Sequence, residues 1–435
     1  MTLSLPFLTT YDPPGTSEGT LDPLGLYQIA DQLAVQLVPA VRERMQRVRF
    51  LTAMAVGAVV TEDIEDDPQQ RDASPYLVWE WLIVEAFLRT MDDDPEIWGV
   101  PGTLVARRAL AQYNYLDARS YLKTPRIFGF YGVYKRLGIH LGLVDVNLGP
   151  GPNAEALVDA WARDQGLGGL TGARPVLQRW STAVSRSMAE KPPRTRPGWK
   201  TDAWAELANA FAPAGGKSRE RRYLRELLHA SDDRRLGALP EIWKLQDKFK
   251  DNSDEDFREE RLHDELEKKV PSLGTLLVAI RTYEDFARGL QDAFDVLKAE
   301  AAGRDAQGYD VPQIAGNREF NQSVKQLHAR FAATQTTLGE VALTKLSLAN
   351  LFSDRFGAFA DPMSESDCAV ALCSHHETVQ RGKSADGKRP WFDRIGKDRI
   401  YIRHAYRTPR REILPARYVH DYRGKPIRRF HSDLT

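Results

Sequence analysis

Leu26, Ile29, Ala30, Leu33 and Leu37 recur at steps of three and four, the period of an amphipathic helix. Pro39 marks its break. A second helix is predicted over Val41–Val60, arginine-rich early and apolar later, and Glu62–Ala73 reads as an acidic loop. Ser74-Pro75 supplies an N-cap and a first-position proline for a helix over Tyr76–Leu88. That helix is apolar on almost every side, which places it in the middle of a core.

Gly102–Tyr113, Asp117–Leu122 and Arg126–Leu137 read as three short helices, followed by the apolar Ile139–Val146 and the turn-rich Gly149–Asn153. Three helices, a strand and a tight loop are the parts of a winged-helix module over about residues 100–165. Its recognition helix would present Arg126, Tyr131, Tyr134, Lys135 and Arg136. The other reading is that the segment is one more piece of helical core. Lys191–Gly198, rich in proline and glycine, predicts a linker between an N-terminal helical domain (1–190) and a second helical domain (199–382).

Within the second domain, Leu276, Ile280, Tyr283, Ala287, Leu290, Phe294 and Leu297 are spaced alternately by four and three. Phe320, Val324, Leu327, Phe331, Thr334, Leu338 and Val341 repeat that rhythm. Two such seams joined by the loop Gly303–Gly316 predict a long antiparallel helical hairpin over 272–342. Beyond Gly382 the helical period stops, and Arg399–Tyr406 and Ala416–Tyr422 alternate as short strands do. The expected fold class is therefore mainly α: multi-helix bundles, the hairpin, and a small basic β/loop element over 383–435.

Composition sharpens this picture at one place. The chain holds 60 Lys/Arg and 60 Asp/Glu in 435 residues. Arg381–Thr435 carries 16 Lys/Arg against 6 Asp/Glu, a difference of +10, leaving 44 against 54, or −10, for residues 1–380. An acidic body with a basic end suggests a polyanion or an acidic partner, or a segment folded back on its own body. The basic residues alternate with rings: Lys383, Lys388, Arg389, Arg399, Arg403, Arg407, Arg410, Arg411, Arg428 and Arg429 among Trp391, Tyr401, Tyr406, Tyr418, Tyr422 and Phe430. Cations release counterions from phosphates and rings stack on bases, so these residues, with Trp391, Arg126, Lys135 and Arg136, form the candidate nucleic-acid contact set.

Catalytic chemistry is thin. Gly-Lys-Ser occurs at Gly216–Ser218 and Gly382–Ser384, but a phosphate-binding loop needs a glycine where Phe211 and Glu377 stand. Cys368, Cys373, His375 and His376 have metal-binding donors in a spacing unlike the usual zinc pairs, and Cys368, Leu372, His375 and Val379 share a core-like helical stripe. No metal or cofactor is therefore expected. A nuclease or other hydrolase built on His375/His376 is the alternative to a non-enzymatic role, with the histidine as base and nearby lysines on the phosphate. Two cysteines in a chain this long predict a reducing cytoplasm. Met1–Thr10 predicts no secretory signal, and no apolar run reaches a membrane span.

Asp22–Ala30, Leu37–Pro39, Arg47–Thr52, Tyr121–Tyr134 and His375–Phe392 resemble blocks of uncharacterised bacterial accessory proteins encoded in anti-phage defence islands. The resemblance implies an accessory or scaffold subunit of a DNA-directed defence complex, with other protein subunits as partners and no membrane. It implies no catalytic residue.

Overall fold

The computed structural model of the protein describes residues 22–435 except 39, 43, 67–72, 92–98, 123, 230–237, 249–258, 305–307, 342–346, 384–387, 408–417 and 421–422. In chain order the helices are α1 (Tyr27–Leu37), α2 (Phe50–Thr61), α3 (Pro75–Thr90), α4 (Thr103–Tyr113), α5 (Pro125–Phe128), α6 (Phe130–His140), α7 (Ala154–Asp164), α8 (Leu170–Ala189) and α9 (Thr201–Phe211). They continue with α10 (Ser218–His229), α11 (Leu239–Lys248), α12 (Glu259–Lys269), α13 (Gly274–Ala302), α14 (Arg318–Val324), α15 (Leu327–Glu340), α16 (Leu348–Phe356), α17 (Glu365–Arg381) and α18 (Gly424–Leu434). The strands β1 (Tyr309–Asp310), β2 (Phe392–Arg394) and β3 (Arg399–Ile402) form one small antiparallel sheet in the order β1-β3-β2. The protein is mainly α-helical, as the periodicity predicts. No described helix is long and apolar enough to cross a membrane.

The chain divides into two compact units, each built from two stretches of sequence. Unit 1 takes residues 1–33 and 254–421; unit 2 takes 34–253 and 422–435. The expected boundary at Lys191–Gly198 lies inside unit 2. There Thr195 donates its amide to the Leu116 carbonyl and its hydroxyl to the buried Glu85, so the proline-rich segment is a packed strap.

Unit 2 is centred on α2 and α3, whose side chains are buried on nearly all sides. Trp79 donates its indole N–H to the Ala53 carbonyl, and its ring lies where a Cβ on Gly57 would meet it at 2.4 Å. Trp79, Trp161, Trp180 and Phe211 form an aromatic cluster, with Trp161 and Phe211 stacked at 5.6 Å. α18 packs on α10 and α11. Trp243 of α11 donates to the Ile427 carbonyl, and Gln246 to that of Gly424. This helix was not expected: Ile427, Phe430 and Leu434 sit at helical spacing and are buried, but the surrounding cations mask the period.

The winged-helix expectation fails in unit 2. Residues 117–120 form a turn held by the Asp117 carboxylate, and α6 runs to His140, where a strand was expected. Val144 makes only an isolated bridge to Pro150. The expected helix over 126–137 breaks at Gly129, whose backbone is extended, and a Cβ there would stand 2.0 Å from Glu80 Oε1, so the position needs glycine.

Unit 1 contains the hairpin. Thr334 bonds the Thr282 carbonyl, Arg330 pairs with Asp285 at 3.3 Å, and Asn317 bonds Glu300. Partner numbers fall as α13 numbers rise, so the arms are antiparallel. Ile280, Leu290, Phe320, Phe331 and Leu338 are buried. The second arm is split at Lys325-Gln326, where Gln326 is left-handed at φ 56°.

Candidate nucleic-acid interface

The candidate residues are divided between the two units. Lys383, Lys388, Arg389, Trp391, Arg399, Arg403 and Arg407 belong to unit 1, whereas Lys135, Arg136, Arg428 and Arg429 belong to unit 2. Arg410 and Arg411 lie outside the described residues, and of Arg126 only its place in the single turn α5 is described.

In unit 2 the presumed recognition helix faces inward. Tyr134 is fully buried and its hydroxyl accepts the Gln46 and Arg47 amides; Phe130, Val133 and Leu137 are buried beside it. Lys135 is tied to the Tyr131 hydroxyl and the Val146 carbonyl, which leaves Arg136 exposed. Five of its eleven residues are buried, so α6 packs one face on the core of unit 2. Arg428 and Arg429 are half-buried on α18.

In unit 1 several basic residues are structural. Arg403 is 2% exposed, donates towards the Pro390 carbonyl and lies over the Tyr406 ring. Trp391 stacks flat on Tyr406 at 4.8 Å, with Phe294 and Lys298 around it, so its faces are occupied within the unit. What remains outward is the face of β3. Ile400 and Ile402 point in; Arg399 is exposed, Tyr401 is half-exposed, and the Arg407 guanidinium lies 4.7 Å from the Tyr401 ring centre. Exposed Lys397 precedes the strand, and Arg389 pairs with Asp393 beside it at 3.2 Å.

The histidines of α17 close a clasp on the segment Asp22–Gly25. Lys383 Nζ donates to the Asp22 carbonyl, and Gln380 Nε2 donates to that of Pro23 at 3.2 Å. His375 Nε2 meets the Leu24 carbonyl at 2.9 Å, and Arg355 of α16 donates to Gly25 at 2.8 Å. Four consecutive carbonyls are thus held by side chains, and Asp22 in turn caps the amides of Leu26 and Tyr27 ahead of α1. Gly25 has φ +71°, and a Cβ there would lie 3.1 Å from Arg355. Asp22–Gly25 and His375–Phe392, two of the blocks that carry the resemblance, therefore meet in space. Arg355 was not singled out from sequence; nothing in its spacing marks a partner 330 residues away.

His376 is wholly buried. Its Nε2 accepts the Trp391 amide at 2.9 Å, and an amide only donates, so the ring proton sits on Nδ1 and goes to the Pro23 carbonyl at 2.9 Å. Both nitrogens are engaged, and burial pushes the imidazole down to about 3. His375 is also pushed down by burial and lies against Phe356 and Phe359. Burial takes Lys383 down to about 8. Glu377, the carboxylate beside the histidines in sequence, is paired with Arg394 at 2.8 Å.

The buried thiols of Cys368 and Cys373 are pushed up to about 12 by desolvation, which keeps them protonated. Among the described residues, no group of three or more His, Cys, Asp or Glu is placed to hold a metal ion. No family model, curated protein or solved structure matches the chain.

Proposed function

We propose that the protein is a non-enzymatic, complex-forming subunit that makes an auxiliary contact to nucleic acid through the outward face of β3, in the setting of a bacterial DNA-directed defence complex. The observation that carries the contact is the alternation on β3, which turns Arg399 and Tyr401 out, with Arg407 over the tyrosine ring. A guanidinium stacked on a ring offers a cation and a π-face together, suited to a phosphate and its base. The defence setting and the protein partners rest on the resemblance alone.

Charge sets the scale of the contact. Arg389, Lys397, Arg399 and Arg407 stand against Asp310, Asp393 and Asp398 in and beside the sheet, 4 against 3. The net charge is only +1, and with Arg399 and Arg407 each meeting one phosphate the logarithmic salt slope should be near −2 and the affinity at the weak, non-specific end of about 10⁻⁴–10⁻⁶ M. That strength suits a subunit that steadies nucleic acid bound mainly by others. The hydrolase alternative draws no support from His376, which has no ring nitrogen left to take a proton from water.

The test is fluorescence anisotropy of the full chain with single-stranded and duplex DNA over a salt series. Arg399→Ala and Arg407→Ala should each weaken binding several-fold and reduce the salt slope by about one. Unchanged affinity and slope in the double variant would remove β3 as the contact.

A further inference from the structure

Unit 2 holds a cavity of about 330 Å³ between the end of α2, the start of α3 and the 145–149 turn. Ala58, Ile64, Pro75, Leu77 and Leu148 give it an apolar floor, and Tyr76 and Tyr131, with ring centres 5.7 Å apart and planes at 55°, form a corner. Three carboxylates, Glu62, Asp66 and Asp145, stand on its lining. Lys135 sits at its edge, 4.8 Å from the Tyr131 ring centre and bonded to the Tyr131 hydroxyl and the Val146 carbonyl. Three negative charges and one positive leave −2 around a space at the small end of ligand-pocket volumes.

A second observation points to an occupant. Tyr76 is 5% exposed and lines the cavity, and its hydroxyl makes no hydrogen bond to a described residue; the groups that act on it are Glu80 and Tyr131. The hydroxyl opens to the cavity, where a bound group can accept from it or donate to it. Behind the tyrosines, Glu80 is buried and accepts the Tyr121 hydroxyl at 2.9 Å and the Tyr131 amide at 3.2 Å. A cation in the cavity would therefore meet aromatic faces, carboxylates and an unpartnered hydroxyl. An anion would meet repulsion.

We propose that this cavity binds a small organic dication, a short aliphatic chain with an amine at one end and an amine or guanidinium at the other. The alkyl part would cover Ala58, Leu77 and Leu148, one head would lie against Tyr76 and Tyr131, and Glu62 and Asp66 would approach the other from the rim. Attraction of a cation to a tyrosine face and to half-screened carboxylates is modest for each pair, so selectivity comes from their sum. The site is independent of the nucleic-acid reading, since none of its residues belongs to β3 or its neighbours.

Isothermal titration of the full chain with putrescine and agmatine tests it, with 1,4-butanediol as the neutral match in shape. One saturable site for the cations and no heat with the diol are expected. Glu62→Gln combined with Asp66→Asn should weaken the cations roughly tenfold, and Tyr131→Leu by a similar factor. Both carboxylates are exposed, so the double variant should keep its melting temperature. Equal binding of the diol, no saturable binding at millimolar amine, or unchanged affinity in the double variant with its fold intact would each overturn the proposal.

Discussion

His376 and Glu80 are buried titratable groups whose burial acts in opposite directions on stability. For His376 the folded value is about 3 against an ordinary 6.5. Its neutral form is therefore favoured by folding: the contribution is complete above about pH 6.5 and is lost as pH falls towards 3, on the order of 5 kcal/mol in full. Glu80 is raised by desolvation from 4.5 to about 7, so the folded state favours its protonated form. Its contribution is present below about 4.5 and is lost as pH rises through 7, about 3 kcal/mol in full. The two residues lie in different units, so acidification from pH 7 to 4.5 should weaken unit 1 and strengthen unit 2. Urea midpoints check this. Glu80→Gln should raise the midpoint at pH 8 and leave it nearly unchanged at pH 4.5, since a flipped amide can bond both the Tyr121 hydroxyl and the Tyr131 amide. The deficit of His376→Asn should shrink from pH 8 to pH 4. A deficit that stayed constant would mean that His376 does not titrate as its burial requires.

Among the elements, the hairpin is the best test of packing. Leu290 is fully buried in its seam, so Leu290→Asp should cost about 3–5 kcal/mol, the scale of an unpaired buried charge, whereas Ala333→Asp on the exposed side of α15 should cost no more than about 1 kcal/mol, mostly helix propensity. Gly289→Ala separates local preference from packing. The substitution gains up to about 1 kcal/mol in helix propensity. Against this, the new Cβ would lie 2.7 Å from Arg330 Nη1 and 3.0 Å from the Ser323 carbonyl, so the net effect on the melting temperature should be a loss. The hairpin was legible because its two apolar seams keep one period over many turns. α18 was not, because Ile427, Phe430 and Leu434 are few and the cations between them mimic a disordered basic tail. α6 misled for the converse reason: Tyr131 and Lys135 look like presented groups, yet Tyr131 faces the cavity beside α3 and Lys135 is bonded in place. Of the candidate interface, the basic and aromatic alternation was readable. Which members turn outward was not, since that depends on strand register and on partners far away in sequence.

At the scale of the whole molecule, the charge split resolves into two destinations. Part of the basic segment, at Arg394, pairs with the carboxylate of Glu377 in unit 1, and the part after residue 422 becomes a helix of unit 2. Removing everything after Gly382 would therefore strip structure from both units, and substitutions on β3 are the cleaner probe of binding. The same discontinuity imposes a timetable on synthesis. The Leu24 carbonyl waits for His375, 351 residues later, and Trp243 waits for Ile427, 184 residues later. At about 5–20 residues per second, the first interval alone lasts roughly 20–70 s. The clasp on Asp22–Gly25 and the cover over Trp243 cannot form before their distant stretches leave the ribosome, so nascent chains arrested near residue 300 should be cut by protease throughout 22–33 and around Trp243, and chains released at full length should resist. A protein arranged in this way exposes those surfaces to misassociation over long intervals of synthesis, and its yield in a cell should depend on chaperones more than its final stability would suggest.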